Sequence, residues 1–278
     1  MITTTLAHYT TLWGLTPDGV PFDTPLNWLL HVRTHNATPA VLKVPKSGMS
    51  VDDEKHAAAM LIYYAGLGAI RLLKSDTSAL LLERACGTQS LWAMTTSGNT
   101  SDDDAAAHIL ADTLTQLHAP RTTPPPSGLM SLDQWFQPLR NFRTHALVLE
   151  SAATLVEKFI ATTLPPHVLH GDMHHQNVVH DTKRGWLAID PKGLCGERTY
   201  DVANLLRNPQ YHPAIVHDPA RMQRLAHLYA LRLNLDPRRI LQFTAAHAAL
   251  SAAWSLEDGR DPAFNLRTSE VAASCFVH

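Results

Sequence analysis

The chain has no run of eighteen or more apolar residues, so no segment is long enough to cross a bilayer as a helix. Its first residues, Met1-Ile2-Thr3-Thr4-Thr5, have no basic start and no apolar stretch behind them, and no secretory leader is expected. Cysteine is scarce: Cys86, Cys195 and Cys275 are an odd number at wide spacing with no C-x-x-C pair, which makes a reducing cytoplasm the expected compartment. Charge of either sign is not gathered into a stripe, and a net charge of −2 argues against nucleic acid or an anionic membrane as the main partner. Internal repeats are absent. What remains is 278 residues, 45% hydrophobic and 17% charged, enough for one large or two modest domains with a real core.

Chemistry is concentrated in one stretch, His170-Gly171-Asp172-Met173-His174-His175-Gln176-Asn177, followed by Asp190 at the end of the apolar run Trp186-Leu187-Ala188-Ile189. An Asp, an Asn five residues on, and a second Asp behind a short strand are the parts that hold Mg-ATP beside a hydroxyl. Phosphoryl transfer passes through a loose transition state, so a protein contributes positioning, charge neutralisation and a group that orients the attacking hydroxyl. Asp172 is the candidate for that group. Mg²⁺ takes oxygen ligands and keeps several waters, so Asn177 and Asp190 with nucleotide phosphates would satisfy it. Residues 167–169 and 177–180 read as strands on either side of the loop, and 181–185 as the turn to a returning strand at 186–189.

Two other readings fit parts of this segment. A polar surface turn leaves the Asp-Asn-Asp spacing to coincidence. A zinc or iron site would use His170, Asp172, His174 and His175, but no second ligand cluster follows downstream. His170 and either His174 or His175 are read as loop scaffolding or as donors on the substrate side.

The chain divides near residue 85. Residues 1–85 mix short strands with one helix, and 86–278 are mostly helical. Pro39-Ala40-Val41-Leu42-Lys43-Val44 reads as a buried strand whose single Lys needs an anionic partner, such as nucleotide phosphate. The following helix opens with a capping box at Ser50-Val51-Asp52-Asp53 and places Glu54 on its inward stripe, which suggests a Lys43–Glu54 pair; a favourable charge at the helix start is the simpler role for Glu54. Residues 70–73 and 78–83 look like an antiparallel pair turning at 74–77. A hinge after them would present backbone groups of Glu83 and Ala85 to an adenine edge, although an ordinary strand-to-helix loop reads the same way. Helical periodicity marks 102–118, 144–162, 220–233 and 237–256, while Pro124-Pro125-Pro126 sits in a stiff exposed connection. Asp201 opens a further helical run, either as a cap or as a carboxylate that bonds the loop backbone around His170.

The segments around His170 to Asn177, Asp190 and Tyr200-Asp201-Val202-Ala203 resemble the aminoglycoside and choline kinase group. More narrowly, Gly185-Trp186-Leu187-Ala188-Ile189-Asp190-Pro191-Lys192-Gly193-Leu194-Cys195-Gly196-Glu197 and Leu250-Ser251-Ala252-Ala253-Trp254-Ser255 resemble the streptomycin phosphotransferase branch, the aminoglycoside/hydroxyurea resistance kinases. The resemblance implies an α+β, bilobal protein-kinase-like fold with a small antiparallel-sheet lobe bearing one helix and a larger helical lobe. It implies ATP-dependent O-phosphorylation of a small hydroxylated molecule, with ATP and Mg²⁺ as cofactors. By position, Lys43 and Glu54 match the phosphate-binding pair, Asp172 the catalytic base, and Asn177 and Asp190 the metal ligands.

The chain departs from the wider kinase pattern in having no G-x-G-x-x-G in its first forty residues, and in Pro191-Lys192-Gly193 after Asp190. For an aminoglycoside acceptor, Glu197, Glu257, Asp258 and Asp261 are candidate pocket carboxylates by residue type, together with His175. A kinase of the same fold for a metabolic sugar, amino sugar or amino alcohol would look alike at this level. A nucleotide-binding pseudokinase is the alternative of another class, against which the intact Asp172, Asn177 and Asp190 speak.

Overall fold

The computed structural model describes residues 2–46, 51–161 and 166–276, with the side chains of 2–4 and 51–54 outside that description. Helix α1 (Ile2–Leu12) leads into strands β1 (Thr16–Pro17), β2 (Phe22–Asp23), β3 (Asn27–Arg33) and β4 (Pro39–Pro45); helix α2 (Val51–Tyr64) then returns the chain to β5 (Leu72–Ser75) and β6 (Leu80–Glu83). The six strands form one antiparallel sheet in the order β1-β3-β4-β6-β5, with β2 beside β3. Alternation sorts the sheet's two faces. Leu30, Val32, Leu42, Val44 and Leu81 pack with Leu6 and Tyr9 of α1, a helix the sequence reading did not anticipate. Lys43, one position out of step with Leu42 and Val44, faces the opposite way, toward α2 and the rest of the molecule. Helix α2 buries Ala57, Met60, Leu61 and Tyr64, the i, i+3, i+4, i+7 stripe of a helix laid on a sheet.

The β5–β6 hairpin sits two residues later in β5 than the sequence pattern suggested. Asp76 makes the turn, its carboxylate accepting from Ser78 N at 2.8 Å and its own N–H reaching Ala79 O at 3.1 Å. Ile70 is consequently free to bond Ala188 O at 3.1 Å and tie the small lobe to the large one.

Beyond the sheet come α3 (Leu91–Thr95), α4 (Thr100–Leu117), the short β7 (Met130–Ser131), α5 (Leu132–Trp135), α6 (Gln137–Asn141) and α7 (Leu147–Ile160). A second group of strands follows: β8 (His167–Leu169), β9 (Val178–Asp181), β10 (Gly185–Ala188) and β11 (Leu194–Gly196). The chain ends in α8 (Tyr200–Leu206), α9 (Pro213–Val216), α10 (Pro219–Leu233), α11 (Pro237–Glu257) and α12 (Ala263–Ser274). Helix α11 is the centre of this lobe. Its alanines at 245, 246, 248, 249, 252 and 253 are all buried, and their small side chains let α7, α8 and α12 approach from several sides. Strands β9 and β10 form a hairpin in register Val178↔Ala188, and β8 pairs with β11, so the loop between β8 and β9 and the residue after β10 are brought side by side. Two lobes of unlike construction result: a small antiparallel sheet carrying α2 and a larger helical body, a protein-kinase-like topology. Among the described residues no helix is long and apolar enough to cross a membrane.

Candidate active site

The loop 170–177 is held by buried polar contacts. His170 N and Gly171 N donate to the two oxygens of Asp201 at 2.9 and 2.8 Å, and His118 Nε2 lies 2.8 Å from the same carboxylate. Asp201 is 1% exposed. Burial alone would raise its pKa, but the hydrogen bond and charge of His118 and the Gly171 N–H hold it below the ordinary carboxylate range. The His170 ring continues the network, with Nε2 2.9 Å from Ile189 O and Nδ1 accepting from Asp172 N at 3.3 Å. This pattern assigns the proton to Nε2, because a carbonyl can only accept. Burial lowers the His170 pKa against the opposing charges of Asp201 and Asp172, in keeping with a neutral ring. Gly171 is required here. Its φ is +82°, and a Cβ on it would stand 2.8 Å from Leu194 Cγ.

Three candidate side chains meet beyond this support. Lys43 Nζ donates to Asp190 Oδ1 at 3.0 Å, bridging the two lobes. Asn177 Nδ2 donates to Asp172 O at 2.9 Å, which engages the amide nitrogen and leaves Oδ1 for a cation. Asp190 has φ +55°, an uncommon conformation for a residue other than glycine. The chain on either side enforces it, through Ile189 N to Asn177 O at 2.9 Å and Lys192 N to His170 O at 2.7 Å. The donor set suits Mg²⁺, with an amide oxygen and a carboxylate beside a cleft open to phosphate oxygens. No group of three or more His, Cys, Asp or Glu that could hold a metal occurs among the described residues. Glu54 lies in the first turn of α2, but its side chain is outside the described residues.

Between the lobes is a cavity of about 780 Å³. Val41, Ile70 and Leu82 line it from the sheet side, Val179 and Ile189 from the helical side, and Lys43, Asp172, Asn177 and Asp190 at its polar end. Glu83 and Ala85 both line it, with different freedom. The Glu83 N–H donates to Arg71 O at 2.9 Å, while Arg71 N goes to the Glu83 carboxylate at 2.9 Å rather than to its carbonyl. Arg84, Cys86 and Gly87 give their N–H groups to Pro39 O, Asp181 Oδ2 and His180 O. Ala85 alone in this segment keeps an N–H with no partner among the described residues. Gly87 is fixed by close approach, since a Cβ would fall 2.1 Å from His180 Nδ1. Thr24, Pro25 and Leu26 line the cavity from a turn closed by Thr24 N to Asn27 O at 2.9 Å and braced by Lys46 to Asp23 at 2.7 Å. This turn stands where a glycine-rich loop is absent from the sequence.

A second cavity of about 400 Å³ joins the first through Asp172, His174 and Gln176, which line both. Its far wall is Trp92, Asn204, Arg207, Asn208, Gln210 and Tyr211. Asn204 Nδ2 donates to Asp172 Oδ1 at 3.0 Å, so the carboxylate at the junction is oriented from α8. Of the two adjacent histidines, His174 reaches the cavities. His175 is 4% exposed and faces inward, where burial and then Arg221 push its pKa down to about 3. The carboxylates chosen by residue type are not brought here. Glu197 is clamped by Arg239, with Nη2 to Oε2 at 2.6 Å, while Glu257 and Asp258 lie exposed at the end of α11 and Asp261 bonds Ala263 N at 2.9 Å. None of these four lines either cavity. His118 and Asn204 had escaped the sequence reading as site residues, and of its alternatives His174 and His175 it is His174 that lines the cavities. The Asp201/Asn204 spacing of i, i+3 is the one local signal that could have flagged Asn204.

This fold and this site define an ATP-dependent phosphotransferase acting on the hydroxyl of a small molecule. The chain belongs to the aminoglycoside/hydroxyurea antibiotic resistance kinase family, whose sequence model matches residues 12–259. It is 39% identical over 251 residues to a streptomycin 3''-kinase of Klebsiella pneumoniae, covering 89% of this chain and 91% of that protein. It is 30% identical over 269 residues to a streptomycin 6-kinase of Streptomyces glaucescens, covering 90% and 83%. The crystal structure of a choline/ethanolamine kinase family protein from Mesorhizobium loti shares the fold with a TM-score of 0.69 at 15% identity, covering 100% of this chain and 96% of that one.

Proposed function

We propose that the protein phosphorylates a hydroxyl of an aminoglycoside such as streptomycin, using Mg-ATP. The boundary between the nucleotide lobe and the helical lobe is placed after residue 85. When bound, Mg-ATP supplies the phosphoryl group and a metal that neutralises its charge. Asp172 accepts the proton of the acceptor hydroxyl as the new O–P bond forms and the bond between that phosphorus and the departing ADP oxygen breaks. Asn204 orients that carboxylate, Asn177 and Asp190 hold the metal, and Lys43, with Glu54 as its proposed partner, binds phosphate oxygens. The Glu83 carbonyl and the Ala85 N–H take the adenine edge. His170 and Asp201 act on the loop, and of the two histidines read as substrate-side donors, His174 takes that role.

The observation that carries this reading is the position of Asp172, at the junction of the two cavities and hydrogen-bonded to Asn204 on the acceptor side at 3.0 Å. The test is mass spectrometry of Mg-ATP reactions with streptomycin, other aminoglycosides, hydroxyurea, amino sugars and choline. One acceptor should gain a phosphate-sized mass with the wild-type protein, and Asp172→Asn should lower that turnover by about 10²–10⁴-fold with ATP binding retained. Unchanged turnover in the variant removes Asp172 from the mechanism.

A further inference from the structure

His174 stands with Asp172 and Gln176 where the two cavities meet, and what its ring can donate to decides which reacting group it serves. The loop itself fixes that ring. Gln176 N donates to His174 Nδ1 at 3.2 Å, and Asn177 N donates to His174 O at 2.9 Å, closing the same turn. A backbone N–H can only donate, so Nδ1 carries the lone pair and the ring proton is on Nε2. Burial lowers the His174 pKa against the opposing charge of Asp172, in keeping with a neutral ring.

The Nε2–H has no hydrogen-bond partner among the described residues. Asp172 Oδ1 is 4.0 Å from it, beyond hydrogen-bonding distance, and already accepts from Asn204 Nδ2 at 3.0 Å. Asp172 Oδ2 has no partner among the described residues and is left for the acceptor hydroxyl. An unengaged donor and an unengaged acceptor thus stand side by side at the junction. The attacking oxygen is a poor partner for that donor, because a hydrogen bond to it would engage the lone pair that must reach phosphorus. A phosphoryl oxygen is a good one, since the loose transition state spreads charge over three equatorial oxygens. Lys43, Asn177 and Asp190 line the larger cavity alone, so they meet the phosphoryl group from the nucleotide side and leave the acceptor side to His174.

We propose that His174 is a catalytic residue: its Nε2–H donates a hydrogen bond to a non-bridging oxygen of the phosphoryl group as that group passes from ADP to the acceptor. The proposal rests on the reading of Asp172 as the base between a nucleotide cavity and an acceptor cavity. His174 keeps its proton throughout. The hydroxyl proton goes to Asp172, the new O–P bond forms, and the electron pair of the breaking P–O bond leaves with ADP. A donor fixed in advance needs no reorganisation when charge builds on the oxygen it faces, and one such donor contributes about 10²–10³-fold to turnover. His175 cannot replace it, being 4% exposed and turned inward.

The test compares wild type with His174→Ala and His174→Gln under Mg-ATP and whichever acceptor of the panel turns over. Ala removes the donor, whereas Gln returns an amide N–H near the place of Nε2 but cannot take up a proton. His174→Ala should lower kcat by about 10²–10³-fold, with KM for Mg-ATP and for acceptor changed by less than about threefold, and His174→Gln should recover at least about tenfold of that loss. The second readout is calorimetric binding of ADP with magnesium and aluminium fluoride, a planar stand-in for the phosphoryl group, in the presence of acceptor. His174→Ala should weaken that complex by about a hundredfold while leaving the affinity for ADP alone unchanged. A raised acceptor KM at unchanged kcat makes His174 an acceptor-binding group, equal effects on ADP with and without aluminium fluoride make it a structural one, and Gln as slow as Ala makes proton uptake its role. Each of these overturns the proposal and leaves the kinase reading standing. Should His174→Ala fail to fold, His174→Asn, whose shorter amide reaches the place of Nδ1 but not of Nε2, must show the same loss or the proposal falls. No turnover of any acceptor by the wild-type protein removes the kinase reading and the proposal together.

Discussion

Replacing Asp201 by Asn tests whether one buried carboxylate shapes the catalytic loop. The carboxylate accepts from three donors: His170 N at 2.9 Å, Gly171 N at 2.8 Å and His118 Nε2 at 2.8 Å. An Asn keeps one oxygen, which can serve His170 N and His118, and turns its NH₂ toward the Gly171 N–H. One buried donor is then orphaned at about 1–3 kcal/mol, and two charge-assisted bonds become ordinary ones at about 1 kcal/mol each, for a loss of about 3–5 kcal/mol. At roughly 2 °C per kcal/mol for a chain of this size, Tm should fall by about 6–10 °C. Gly171 adjoins Asp172, so its displacement should lower kcat by about 10- to 100-fold through misplacement of the base. The depressed pKa adds a signature in pH. The stabilisation is fully present above the unfolded carboxylate value of about 4 and is lost as pH falls through the lower folded value, so the Tm gap between wild type and variant should narrow below about pH 4. Calorimetric scans across pH and steady-state kinetics at neutral pH read both effects. A variant that melts within about 2 °C of wild type and turns over at the wild-type rate would refute the reasoning.

Asp190→Ala should abolish Mg²⁺-dependent nucleotide binding in calorimetry with and without EDTA, and normal Mg-ATP affinity would remove Asp190 as a ligand. Ala85→Pro deletes the one hinge N–H left unpartnered among the described residues; it should raise the KM for ATP by up to about tenfold and leave the acceptor KM alone. A KM for ATP that stays put would locate the adenine edge elsewhere. Gly171→Ala places a Cβ 2.8 Å from Leu194 Cγ at a φ of +82°, a strain of about 1–3 kcal/mol that thermal melting should register, and a wild-type Tm would contradict the closeness of that packing.

The contiguous parts of the site were legible because their chemistry and their geometry share one stretch of chain. Asp172, Asn177 and Asp190 sit on a strand, loop and hairpin whose polar and apolar runs announce themselves, and β8, β9 and β10 fall within a residue of where the pattern put them. Contacts made at a distance left no such trace. His118 reaches Asp201 across 83 positions, and nothing at the end of α4 marks it. Glu197 looked like a pocket acid until Arg239, 42 positions away, was seen to occupy it. His174 and His175 differ by one step along a loop, and only the turn of the backbone decides which faces the cavity and which is driven inward. Helix α1, with its threonines, carries a weak apolar stripe and becomes a helix by packing Leu6 and Tyr9 on the sheet.

The site separates two uses of the same side chain. Asp201 is almost fully buried and saturated with donors, so its charge fixes backbone shape, whereas the Asp172 and Asp190 side chains are 35% and 42% exposed and each meets a single close side-chain donor, Asn204 or Lys43. A carboxylate saturated by its own protein has nothing left for a proton or a metal, and one left open contributes little to holding the fold. The loop and the segment after β10 can therefore present two open acids side by side without the loop collapsing onto them, because a third acid behind it has already satisfied the backbone that collapse would need. Lys43 fits the same division: its bond to Asp190 spans the lobes at the polar end of the cleft, where nucleotide phosphates and a metal would offer each partner a stronger counter-charge than the other supplies.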